Sequence, residues 1–323
     1  AILDLARARN SVSDLEGIEG IAFADGGKVT RTRPRSPVRD LDSLPYPAFH
    51  LLPMDRYRYQ FMGRRFTILE ASRGCPFRCS FCYQGMHGRG YRHKGIARVL
   101  GEVARLRSEY NVGNIYFMDL EFGLDREFML DLCSGLESES AGINWCCQTR
   151  VDSVDREAIL AMARAGCSLI HFGVESGSPR VLSETGKGIT LDQCEQAVRW
   201  CREGRIRTAL FMNFGFPGES EEEMNETIEL AIRLNPTYAA FHLAVPFPGT
   251  EMAGRTGLDP EGLPPDLYPQ YNAAGHDLKM LKRMLRKAYL KFYLRPSYLR
   301  AAAGKGGCAI GAQAGVFARL VFG

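Results

Sequence analysis

Between residues 65 and 245, short apolar runs alternate with amphipathic helical stretches, and this alternation limits the chain to very few architectures. The runs fall at 66–71, 114–119, 143–149, 168–174, 207–214 and 237–245. Each is nearly continuous in Ile, Leu, Phe, Val and Ala, the pattern of a strand covered on both faces. Helical stripes lie between them: Ile96, Val99, Leu100, Val103 and Leu106; Leu191, Cys194, Val198 and Cys201; Met224, Ile228 and Ile232. Thr190 with Gln193, and Ser220 with Glu223, fit the capping box, in which two side chains satisfy orphan amide donors reciprocally. Gly166 fits a helix stop. Six such units predict a parallel sheet with right-handed crossovers, either an open doubly wound sheet or a barrel-like curl. Both place ligands at the carboxyl ends of the strands.

The flanks read differently. Residues 1–9 fit the last turns of a helix. Ile18–Ala24, Asp25-Gly26-Gly27 and Lys28–Thr32 read as a small hairpin, since Gly supplies the positive φ of a tight turn. Pro34, Pro37, Pro45 and Pro47 then favour an extended linker. The organisation expected is 1–59 as the tail of an absent upstream domain plus linker, 60–250 as the sheet domain, and 251–323 as a helical extension. Within that extension, Leu278, Leu281, Leu285, Ala288 and Phe292 line one face of a basic helix over 277–295. Such a helix either closes the open side of the sheet or lies on an anionic membrane. The Ala- and Gly-rich stretch 301–323 reads as a frayed tail. No apolar run is long enough to span a membrane, and no secretory leader is visible. A formal net charge of +4 over 323 residues gives no case for nucleic acid. Ten cysteines in such a chain are too sparse for a disulfide scaffold.

Three of those cysteines nevertheless sit together after the first strand: Cys75-Pro76-Phe77-Arg78-Cys79-Ser80-Phe81-Cys82. Three thiolates on one short loop suit an iron–sulfur cube, and three ligands on four irons leave one iron open for chemistry. Arg73 and Arg78 flank the loop, and cationic neighbours favour thiolate. A zinc site is the competing reading, with His87 or His93 as fourth ligand; three inert buried thiols is another. Cys133, Cys167, Cys194 and Cys201 read as small core residues. Cys146 and Cys147 are adjacent on a strand and face opposite ways, so no second cluster is expected. The Gly-rich basic stretch 83–94 is the loop nearest the cysteines and is expected either to shape a substrate face or to be solvated.

The loop Cys75-x3-Cys79-x2-Cys82, with Phe81 before the last cysteine, resembles the signature of the radical S-adenosylmethionine (radical SAM) superfamily. The resemblance covers about residues 65–250. It implies an α/β fold, a partial (β/α)6 TIM-like barrel, here with a short N-terminal hairpin and a helical C-terminal extension. It also implies a 4Fe–4S cluster on Cys75, Cys79 and Cys82 whose open iron chelates SAM. One electron then cleaves SAM to a 5′-deoxyadenosyl radical that abstracts hydrogen from a small organic substrate, the electron coming from a reductant such as flavodoxin or ferredoxin. Further residues are expected to bind SAM: Phe81 on the loop, Asp119 or Glu121 with its ammonium, Arg150 with its carboxylate, Glu175 and Ser176 with its ribose, and Gly215 beside its adenine. The segment Asp40–Pro47 is similar to the linker that joins a cobalamin domain to this barrel in methyltransferases acting on unactivated carbon and in the anaerobic tetrapyrrole cyclase. That narrower resemblance implies cobalamin held by the absent upstream domain, and methyl transfer or ring formation as the reaction. A radical SAM methylthiotransferase acting on RNA and a non-catalytic iron–sulfur electron carrier are the alternatives. An oxygen-sensitive cluster and free thiols imply the cytoplasm.

Overall fold

The computed structural model describes residues 1–8, 12–139, 142–256 and 275–303; most of the Ala- and Gly-rich tail, including Lys305, Gln313 and Arg319, lies outside them. The chain forms two compact units, Ala1–Leu41 and the remainder from Asp42. The first carries a short helix over Ile2–Arg7 and a hairpin of β1 (Ala22–Asp25) and β2 (Lys28–Arg31). Gly26 and Gly27 both adopt positive φ at its turn, as the sequence requires.

The second unit is built on six parallel strands: β3 (Phe66–Leu69), β4 (Asn114–Phe117), β5 (Asn144–Thr149), β6 (Cys167–Glu175), β7 (Arg207–Phe214) and β8 (Tyr238–Leu243). They lie side by side in chain order, every pairing parallel. A doubly wound sheet reverses its strand order at a switch point; here no reversal occurs, and the sheet is the wall of a partial barrel. Helices α1 (Ile96–Tyr110), α2 (Arg126–Glu139), α3 (Arg156–Arg164), α4 (Pro179–Glu184), α5 (Leu191–Glu203) and α6 (Glu221–Leu234) fill the connections. The capping boxes of α5 and α6 form as expected, on Thr190 with Gln193 and on Ser220 with Glu223. Gly166 follows α3 with φ +91°, where a Cβ would stand 2.3 Å from the Ile143 carbonyl oxygen.

The two faces of the sheet are both buried, which explains the continuous apolar runs. Outward side chains such as Phe117, Cys147, Ile170 and Leu210 pack under the helices. Inward side chains Phe66, Tyr116, Cys146, Leu169, Ala209 and Tyr238, one from each strand, form a floor closed from below by Tyr59, Phe61 and Met62. Cys146 and Cys147 therefore enter different cores, as their adjacency on a strand demands. Residues 42–59, expected as linker, fold with the barrel. Asp42 accepts from the Gly95 amide, Arg98 stacks at 3.7 Å on Tyr46, and Arg98 Nη2 donates to the Leu44 carbonyl at 2.9 Å.

The basic helix, α7 (Leu278–Tyr293), closes the barrel's free side. Its tyrosines do so with unusual economy. The Tyr289 hydroxyl donates to the Phe241 carbonyl and accepts from the Phe241 amide, both at 3.2 Å. The Tyr293 hydroxyl does the same for Ala239, at 2.8 and 3.0 Å. At Ala239 and Phe241 the outer edge of β8 thus has its backbone groups satisfied without a seventh strand. Lys291 pairs with Glu229, Arg283 with Glu221, and Lys287 donates to Asn225, all on α6. Three of the basic residues of this helix are thus matched to the neighbouring helix. No helix among the described residues is long and apolar enough to cross a membrane.

Candidate active site

The cysteine loop leaves the end of β3 at the carboxyl mouth of the barrel. Its path is fixed by Gly74, which has φ +87° and lies so close to the following loop that a Cβ would meet the Gly90 carbonyl oxygen at 2.1 Å. Ser72 and Arg73 pair antiparallel with His93 and Arg92, tying the two ends of this excursion together. The Ser80 amide donates to the Thr185 carbonyl, and the Met252 amide to the Ser80 carbonyl, both at 2.8 Å. Gly74→Ala should therefore displace the loop and lose most bound iron without touching a ligand. Iron per chain, with circular dichroism to show an intact barrel, checks this; full iron in the variant would contradict it.

Cys75, Cys79 and Cys82 are free thiols on this loop. Burial pushes all three above the ordinary thiol value, and with the Cys79 and Cys75 sulfurs adding to burial Cys82 rises to about 11. Three mutually repelling sulfurs in a sheltered mouth are the donor set that a cationic iron–sulfur cluster replaces protons on. No three His, Cys, Asp or Glu side chains among the described residues converge to hold a single metal ion, whereas a cube takes one cysteine per iron. His87 faces Glu70 at 3.4 Å, and His93 packs, tilted, against Phe128 at 4.3 Å between ring centroids. The site residues therefore fit a cluster.

The cations that face the sulfurs are not the expected ones. Arg73 pairs with Glu70 at 2.9 Å, and Arg78 is exposed. Lys187 and Arg150 act on Cys79 instead. Arg150 is 5% exposed; its Nη1 lies 3.8 Å from Cys79 Sγ. Its fork is taken by Asp152, with Nε and Nη2 each at 2.8 Å, rather than left open for a carboxylate. Lys187 was missed in the sequence, although its setting in Gly186-Lys187-Gly188 was a signal. Both glycines have positive φ, and a Cβ on Gly186 would stand 3.0 Å from the Arg78 carbonyl oxygen. That turn presses Lys187 against the cysteine loop.

Glu175 ends β6 with φ +72°, a left-handed conformation rare for a residue with a Cβ. A register shift against β7 at Gly173/Glu175 accompanies it. The bulge turns the carboxylate into the mouth, where Oε1 pairs with Lys187 Nζ at 3.0 Å and Oε2 accepts from Asn213 Nδ2. Burial alone would push Lys187 down, but Glu175 and Cys79 beside it hold it above the ordinary lysine value. The other expected residues separate. Asp119 is buried, its oxygens accepting from the Ala71 and Ser72 amides and the Ser72 hydroxyl; burial still pushes it up to about 6. Glu121 accepts from the Thr149 hydroxyl and the Arg150 amide. Ser176 turns to α6, its hydroxyl 3.2 Å from that of Thr227. Phe81 packs on Phe216 at 5.4 Å between centroids.

Gly215 also has a structural neighbour: with φ +85°, a Cβ there would stand 3.1 Å from the Leu281 side chain of α7. Its amide and that of Phe216 donate to Glu219 Oε2, while Oε1 has no partner among the described residues. Burial outweighs these bonds and pushes Glu219 up from 4.5 to about 7. The folded state thus favours the neutral carboxyl, a contribution fully present below about pH 4.5 and lost as pH rises through about 7. Between pH 5 and 8 the protein should lose about 3 kcal/mol of stability that a Glu219→Gln variant keeps. Denaturant unfolding of both at the two pH values checks this; parallel pH profiles would contradict it.

Below the mouth the barrel is open. Ile68 and Met118, on the inward side of their strands, are 55% and 39% exposed although they flank the buried floor. His171 lies deeper, stacked on Tyr116 and Phe211 at 5.3 and 5.5 Å between centroids. Burial pushes it down to about 4, so it is neutral. The result is an apolar, aromatic lumen under a mouth lined by cysteines, Glu175 and Lys187.

A sequential parallel barrel wall with three cysteines on the loop after its first strand defines an enzyme class that does its chemistry at a strand-end cluster. The chain belongs to the radical SAM superfamily, whose family model matches residues 69–231. It is similar to an uncharacterized methyltransferase of Pyrococcus horikoshii, with 34% identity over 92% of this chain and 66% of that one. It is also 27% identical to the anaerobic magnesium-protoporphyrin IX monomethyl ester cyclase of Rubrivivax gelatinosus, over 90% of this chain and 53% of that protein. The chain thus spans between about half and two thirds of the length of these curated relatives. Its fold matches a radical SAM methyltransferase from Kitasatospora setae solved with cobalamin and a [4Fe-4S] cluster. That match has a TM-score of 0.59 and 21% identity, covering 75% of this chain and 49% of that one.

Proposed function

We propose that residues 60–250 form the catalytic barrel of a radical SAM enzyme of the cobalamin-linked branch, transferring a methyl group to carbon or forming a ring on a small organic substrate. The observation that carries the reading is the three-cysteine loop facing the buried Glu175 and Lys187 across the mouth. A bound 4Fe–4S cluster would supply one electron for cleaving SAM. Cys75, Cys79 and Cys82 would hold it. Glu175 would accept hydrogen bonds from the ribose diol, with Lys187 and Asn213 fixing its carboxylate. The aromatic floor and Ile68 and Met118 would exclude water from the substrate, which protects a carbon radical from side reactions. The similarity to a methyltransferase and a cyclase supports both chemistries. Cobalamin, in this reading, would be held by chain outside residues 1–323, and the electron would come from a cytoplasmic flavodoxin or ferredoxin.

The test is anaerobic reconstitution with iron and sulfide, then dithionite and SAM, followed by chromatography. 5′-Deoxyadenosine is the expected product; its absence from protein with full iron would overturn the reading. In the presence of cobalamin and substrate, S-adenosylhomocysteine would mark methyl transfer. The ribose role has its own test. A Lys187→Met/Glu175→Gln variant keeps the mouth neutral and loses the charged acceptor, a bond contributing roughly 1.5–3 kcal/mol. SAM affinity should fall about tenfold to a hundredfold with iron retained. Unchanged affinity would remove Glu175 from the SAM site.

A further inference from the structure

Arg150 is held more tightly than a salt bridge to Asp152 needs. Besides that bidentate pair, Nη2 donates to the Lys187 carbonyl at 2.6 Å. The guanidinium carbon sits over the Phe77 ring at 3.8 Å from its centroid, and Phe77 stands inside the cysteine loop. The Arg150 amide is itself fixed by Glu121 at 3.0 Å. With Nε and Nη2 engaged, Nη1 is aimed at Cys79 Sγ. A planar fork locked on several sides and presenting a single N–H to a sulfur is a built donor, and Arg is the side chain that supplies this geometry.

We propose that Arg150 is a positioning residue that sets the reduction potential of the cluster through a charge-assisted N–H···S bond to Cys79. The inference rests on the reading of Cys75, Cys79 and Cys82 as cluster ligands. Its physical basis is direct. Reduction adds one electron to a site already rich in thiolate charge, and that charge spreads onto the sulfurs. A donor aimed at a ligand sulfur stabilises the reduced form more than the oxidised one, so the potential rises. Asp152 balances the net charge of Arg150, so the bond itself, more than the bulk charge, carries the effect. Phe77 and the Lys187 carbonyl hold the donor in place, which spares the cost of orienting it on reduction.

The test uses the reconstituted chain without SAM, so that substrate binding does not enter. Midpoint potentials are measured by redox titration followed by electron paramagnetic resonance, with iron counted in each sample. Two variants are compared with wild type. Arg150→Met removes donor and charge. Arg150→Met/Asp152→Asn removes the donor while leaving no unpaired carboxylate, and it guards against a simple folding failure. Both should keep full iron and show a lower potential, with the reduced-to-oxidised ratio at fixed potential falling about tenfold, or about 59 mV for one electron. Arg150→Lys, which keeps charge but not the fork, should recover only part of the shift. A potential unchanged in the double variant overturns the inference, as does loss of iron from both variants, which would make Arg150 a builder of the loop only. If wild type itself binds no iron, the cluster reading fails first and the inference with it.

Discussion

Cys79→Ala should leave the barrel folded and abolish its iron site. Cys79 is the central cysteine of the loop and the one that Arg150 and Lys187 face. It lies outside the floor and outer cores that hold the sheet together. Removing its sulfur therefore costs little packing. A cube left with two protein ligands has two open irons and is lost to solvent and chelators. Reconstituted wild type should carry about four irons per chain with a broad visible charge-transfer band. The variant should lose most of both, while far-ultraviolet circular dichroism and melting of the apo forms stay close to wild type. Full iron and absorbance in the variant, or a stable zinc stoichiometry in the wild type, would defeat the cluster assignment.

Lys187→Met should unfold the chain more easily than almost any other single change. Among the described residues Lys187 is the cation paired with the Glu175 carboxylate, and both are nearly excluded from solvent, at 7% exposure each. Methionine fills much of the lysine stem's volume but strands the buried Glu175 carboxylate, which keeps its bond from Asn213 and loses its paired cation. Breaking a buried pair from one side costs roughly 3–5 kcal/mol. For a chain of this size that lowers the melting temperature by about 10 °C. Replacing both members, as Lys187→Met/Glu175→Gln, removes the stranded charge and should recover most of the loss, because a neutral amide can keep the bond to Asn213. The double-mutant cycle separates this from a packing defect: equal losses in the single and double variants would show that the pair itself matters little.

These two outcomes rest on very different kinds of information. Local pattern was enough for the elements. The six apolar runs became strands because each is buried under helices on one side and over the barrel floor on the other. The caps at Thr190 and Ser220 became helix starts because their side chains satisfy amides three residues away. Spacing was enough for the cysteines, since all three lie on one loop of eight residues, Cys75 to Cys82, whose geometry depends on near neighbours in the chain.

What the sequence could not contain was which distant groups meet those cysteines. Arg73 and Arg78 are adjacent in the chain, yet the sulfurs face Arg150 from just after β5 and Lys187 from the turn after α4. Glu175 and Arg150 both stand at strand ends, but the bulge in β6 turns Glu175 to Lys187, and Asp152, two residues along, takes the arginine. The same holds at the outer edge: tyrosines in a basic helix give no sign that their hydroxyls will satisfy the backbone of β8. By itself the sequence determined the elements, their order and the gathering of three cysteines on one loop after the first strand. The curl of the sheet decided the electrostatics of the mouth, because it brings strand ends far apart in the chain within reach of a single sulfur, and buried charges choose partners by distance and not by position in the sequence.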